Sequence, residues 1–208
     1  AHLVRFRREA QGNLDALNER HGLARYDKQN VRIFVSTHKL VDTFDSDILQ
    51  PVQVGAARAG SRFPMCLQDD AGENISQLNP MYCELTTQYW AWKNVQTEYY
   101  GFCHYRRYFD FSGIRHEENA FGEIMDDRIC PETQAKYGLT DERIREAVEG
   151  WDIVTTEVKD LTAFPSGTPT PYRQYAAAPY LKIADLDRVI AILKQTHPDY
   201  AQDADAFL

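Results

Sequence analysis

Cysteine is scarce in this 208-residue sequence, and its four copies form no pattern. Cys66, Cys83, Cys103 and Cys130 make no CxxC pair and no zinc-ribbon spacing. A disulfide scaffold is not expected at this size and density, and the expectation is four reduced thiols in a cytoplasmic protein. No stretch approaches the ~18 consecutive apolar residues of a membrane span. The opening AHLVRFRREAQ lacks the apolar run of a secretory signal. The strings G-x-G-x-x-G, G-x-x-x-x-G-K-[ST], H-E-x-x-H and G-x-S-x-G are all missing. Positive charge is in the minority: 23 Lys and Arg against 31 Asp and Glu leave a formal charge of −8. General nucleic-acid binding needs a positive face, so no nucleic-acid partner is expected.

What is present is ordinary soluble-globular composition, with 43% hydrophobic and 26% charged residues. The length suits one domain with an appendage. Residues 1–28 carry Leu3, Phe6, Ala10, Leu14 and Leu17 at three- and four-residue spacing, which predicts an amphipathic helical extension ending at Gly22. Residues 31–208 hold the main domain. The β-branched and aromatic run 31–36 predicts a buried strand, 51–56 a second, 99–109 a third and 151–156 a fourth. A helix is expected over 80–94, with Asn79 as N-cap and Tyr82, Leu85, Tyr89 and Trp92 on its buried face. Further helices are expected over 141–148, opened by Asp141, and 183–196. An irregular polar insertion is expected over 111–140 and a proline-rich loop over 162–172. Strands alternating with helices make the fold class α/β. No strand follows the last helices, so the domain reads as C-terminally truncated.

Three clusters carry candidate chemistry. Thr37, His38 and Lys39 sit at the tip of the first strand, where open α/β sheets collect ligands. The loop Asp69–Ser76, with Asn74 and Ser76, leads to Asn79 at a helix start, a good place for anions and hydroxyls. Asp69-Asp70 resembles a metal pair only superficially, because adjacent loop residues point apart. His104, Arg106 and Arg107 end the aromatic strand. Strand alternation predicts His104 and Arg106 on one face, where buried cations need an anion such as a diphosphate.

The string NISQLNPMYCELTTQYWAWKN (74–94), followed by YYGFCHYRRYF (99–109), resembles the signature of a bacterial family found in capsule and exopolysaccharide gene clusters. VRIFVSTHK, PVQVGAA and DDAGENIS are similar to its pattern too, and QYAAAPYLKIADLDRVIAILKQTHPDY more loosely. The likeness spans about residues 31–205, and Ala176-Ala177-Ala178-Pro179 departs from it. The family was long a domain of unknown function, and one member serves as a galactofuranosyltransferase domain in an O-antigen polymerase.

The resemblance implies a GT-A-like, Rossmann-like nucleotide-sugar fold and a UDP-sugar donor, UDP-galactofuranose. It implies transfer to a glycan or lipid-linked glycan acceptor in bacterial cell-surface polysaccharide synthesis. The expected place is the cytoplasm, with membrane contact only through partner regions. In many such enzymes an Asp-x-Asp holds a divalent metal at the place occupied here by His104-Tyr105-Arg106. The expectation is therefore a metal-independent, inverting transfer, with a metal-dependent route as the less favoured alternative. Glu84 and Asp70 are the candidate bases. The competing class is a non-catalytic nucleotide- or glycan-binding module derived from the same fold.

Overall fold

The computed structural model describes residues 22–165 and 167–208. The helical extension expected over 1–28 lies outside them except at its end, where Leu23–Lys28 form a 3₁₀ helix behind the left-handed Gly22.

Four strands form one parallel sheet in the order β3-β2-β1-β4. β1 is Val31–Thr37, β2 Leu49–Gln53, β3 Leu67–Gln68 and β4 Tyr99–His104. All seven residues of β1 are buried, the pattern of a central parallel strand covered on both faces. Gly101 of β4 lets that strand lie close to β1: a Cβ there would come within 2.7 Å of the Ile33 side chain. The expected first strand and aromatic strand are these, the last stopping at His104, while the second runs over Leu49–Gln53 rather than 51–56 and gives way to a 3₁₀ turn at Ala56–Arg58. The expected strand over 151–156 does not form. Trp151 and Ile153 are largely exposed, and β-branched content makes no strand without a partner.

The helix expected over 80–94 is two helices. α1 is Asn79–Tyr82 and α2 is Leu85–Asn94, separated at Cys83, whose φ of 47° and ψ of −126° break the helical path. Asn79 is the first residue of α1 rather than its cap. The buried face is Thr86, Thr87, Trp90 and Ala91, while Tyr82, Leu85 and Trp92 are exposed. Trp90 meets Phe34 of β1 edge-on at 5.8 Å, in a cluster with Val52, Leu67, Ala91 and Val95.

The chain divides into two compact units. Among the described residues, the first comprises 22–114 and 127–154 and contains the sheet. The expected insertion belongs to it in part: α3 (Pro131–Lys136) forms there, and Phe111, Tyr137 and Leu139 are buried. α4 (Asp141–Val148) follows as expected, but Thr140 is its N-cap. Asp141 instead accepts bonds from the Ser46 hydroxyl and the Asp47 amide. The second unit, residues 115–126 and 155–208, holds α5 (Pro171–Ala177), α6 (Ile183–Thr196) and α7 (Ala201–Phe207). The expected 183–196 helix is α6. Within the 162–172 loop, Leu161–Ala163 form a 3₁₀ turn and Pro171 opens α5 behind the Thr170 cap.

Candidate functional site

The strand order reverses direction at β1: β2 and β3 lie on one side and β4 on the other. Ligands of open parallel sheets bind outside the carboxyl ends of the strands at such a switch point. The residues that leave the sheet there are His38 after β1 and His104 at the end of β4. Their ring centroids are 6.4 Å apart.

His104 also faces Glu84, with Nε2 3.7 Å from Glu84 Oε1. Its Nδ1 accepts the Arg106 amide N–H at 3.3 Å. The proton of the neutral ring therefore sits on Nε2, the nitrogen turned toward the carboxylate. Burial holds the His104 pKa below its ordinary value, against the pull of Glu84, so the ring is neutral at pH 7. Glu84 is the N-cap residue of α2, yet its side chain makes no capping bond. Half of it is exposed.

The cationic clamp expected from alternation is not built that way. β4 ends at His104, and the chain turns back so that the Arg107 amide bonds to the His104 carbonyl at 2.8 Å. Arg106 and Arg107 are consequently exposed, and the expected burial of a cation pair is corrected. Arg106 lies over the Tyr105 ring, 5.3 Å from its centroid.

Several other expected binding residues are scaffold. The Thr37 hydroxyl is buried and closes its own turn with the Lys39 backbone, while Lys39 is exposed. Asn74 clamps its loop, donating to the carbonyls of Asp70 and Gly72 and accepting the Ser76 amide. Ser76 donates to Asp69 and accepts the Ala57 amide. Asn79 donates to the Cys83 carbonyl and to Thr86. Asp70 is held by the Arg62 guanidinium through both oxygens, at 2.7 and 2.5 Å, so it is not available as a base at the crevice.

The sequence assigns Asp69 no role beyond its place in the loop. Its carboxylate is fully buried and accepts four bonds: the Gly55 and Ala56 amides at 2.8 and 2.9 Å, the Ser76 hydroxyl at 2.5 Å and the Thr86 hydroxyl at 2.7 Å. It ties the turn after β2, the loop before α1 and the first turn of α2 into one frame. Beside that frame lies an open cleft of about 350 Å³, lined by His38, Gln53, Gly55, Arg58, Phe63 and Asn79 among others. Of the expected binding residues, His38 and Asn79 reach it. Arg58 had no sequence signal beyond being a basic residue after a strand.

Residues 32–208 match the family model described as "Domain of unknown function (DUF4422)". The chain belongs to the DUF4422 family. Among solved structures, this DUF4422 chain is similar to the apo structure of WbbM, a bifunctional glycosyltransferase. The two share 36% identity with a TM-score of 0.80, over 86% of this chain and 31% of that one. The chain thus spans about a third of the length of that protein. A comparison with curated proteins gives no match. The DUF4422 domain has the GT-A-like α/β fold that its sequence resemblance implied: a four-stranded parallel sheet flanked by helices. Among the described residues no helix is long and apolar enough to cross a membrane. Among the described residues, no three His, Cys, Asp or Glu side chains group so as to hold a metal ion.

Proposed function

We propose that this DUF4422 domain is a glycosyltransferase that moves galactofuranose from UDP-galactofuranose to a growing bacterial cell-surface glycan. The 36% identity to a bifunctional glycosyltransferase supports transfer as the reaction class. The single observation that carries the reading is the Glu84–His104 pair at the switch point. A half-exposed carboxylate stands there at a helix N-terminus, with an oriented imidazole N–H turned toward it.

In this reading the acceptor hydroxyl oxygen attacks the anomeric carbon. Its proton passes to Glu84, the bond from that carbon to the phosphate oxygen breaks, and UDP leaves with the electron pair. One base and one displacement invert the anomeric centre. His104 turns its Nε2–H toward the carboxylate from 3.7 Å, and cationic side chains rather than a metal offset the leaving diphosphate. The reaction runs in the cytoplasm on a glycan or lipid-linked glycan.

UDP release from UDP-galactofuranose in the presence of a galactan acceptor tests the reading, with UDP-galactopyranose as the comparison and EDTA in a parallel series. Acceptor-dependent release from the furanose donor, unaffected by EDTA, is expected. Release from neither sugar contradicts the transferase reading, preference for the pyranose corrects the sugar, and loss in EDTA shows that a metal carries the charge.

A further inference from the structure

The cleft beside the end of β2 has a charge pattern that the displacement leaves unused. Among the described residues no carboxylate lines it. Its ionisable side chains are His38 and Arg58. Arg58 closes the Ala56–Arg58 turn and is exposed, and its guanidinium pairs with no described residue. The acids of the neighbouring loop are committed elsewhere: Asp69 to four donors behind Gly55, and Asp70 to Arg62.

The walls are fixed by the protein itself. Gln53 is almost fully buried, and its amide donates to the Ser61 carbonyl and accepts the Phe63 N–H, both at 2.8 Å. Gly55 is left-handed at φ 64°, and Asn79 packs where a Cβ would stand, 2.9 Å away. Phe63 adds an apolar wall. An acid-free cleft with one unpaired guanidinium and an apolar wall suits a ligand that is part anion and part apolar ring, and its volume suits a small-molecule site.

We propose that this cleft seats the nucleotide of the donor and that Arg58 grips a phosphate with its two-pronged donor face. This rests on the transferase reading above and adds a direction to it. His38 lines the cleft and its ring lies 6.4 Å from that of His104, which faces Glu84, so in the proposed orientation the sugar lies on the His38 side.

The test is calorimetric titration of UDP and of uridine into the full chain, as wild type, Arg58→Gln and Arg106→Gln, with thermal melts to confirm folding. Arg58→Gln should weaken UDP about tenfold or more and leave uridine unchanged. Equal UDP affinity in wild type and Arg58→Gln would overturn the assignment while leaving the donor reading standing. So would a loss seen only in Arg106→Gln, which places the anion at β4 instead. An equal loss for uridine would show that Arg58 does not read phosphate, and would overturn it too. A wild-type chain that binds no UDP would instead overturn the UDP-donor reading itself.

Discussion

Asp69 shows how much of this crevice hangs on one side chain. Four donors from three segments converge on a carboxylate without solvent access. Removing the acceptor leaves those donors buried and unpaired, each costing about 1–3 kcal/mol, with the sum reduced by relaxation. Asp69→Ala should therefore lose at least about 3 kcal/mol in urea denaturation; a loss under about 1 kcal/mol would show that the frame holds without it. His104 gives a second expectation. Its folded pKa lies below its unfolded value, so the native state binds the proton less readily than the unfolded chain. Its contribution is complete above the unfolded value of about 6.5 and is lost as pH falls through that value toward the lower folded one. His104→Gln should flatten that part of the stability–pH curve; an unchanged curve would reject the assigned shift. Asp69 was hard to read from sequence because its value is in bonds to residues 7–17 positions away. Adjacency to Asp70 gives only a superficial likeness to a metal pair.

At the scale of elements, the helix after the loop was legible as a helix and misread as to its face. Tyr82, Leu85, Tyr89 and Trp92 fit a single apolar stripe, but the stripe presumes an unbroken helix. Cys83 interrupts it, and the face that packs is half threonine, of which Thr86 bonds Asp69. Apolar periodicity cannot register a buried polar frame. Trp90→Ala should cost about 3–5 kcal/mol and Trp92→Ala under about 1 kcal/mol. Denaturant melts in the opposite order would restore the stripe. Cys83 itself holds a backbone conformation that glycine tolerates and a β-carbon does not, at a cost of about 1–3 kcal/mol. Cys83→Gly should therefore leave stability equal or raised, and a clear loss would argue that the thiol packs. The parallel core was readable because β1 is a fully buried β-branched run. The 151–156 run has the same composition and no partner strand, a fact that lies in the topology and not in the segment.

Across the whole molecule, the first strand, the loop before α1 and the end of β4 were all singled out in the sequence, and the fold does bring them to one edge of the sheet. Their roles sort differently from expectation. Thr37, Asn74 and Ser76 build the floor, and Asp70 is neutralised by Arg62. His38, His104 and Glu84 face the crevice, and the cation beside the cleft is Arg58 rather than a buried Arg106. The chain charge of −8 is compatible with a diphosphate ligand because, among the described residues, no acid lines this corner. The claim on which the account turns is that Glu84 accepts the acceptor's proton during transfer. The most direct measurement is turnover of UDP-galactofuranose onto acceptor by wild type and Glu84→Gln, with UDP affinity measured on the same samples. The account predicts turnover lowered by about 10²-fold or more with UDP affinity unchanged. Full turnover in Glu84→Gln would contradict it.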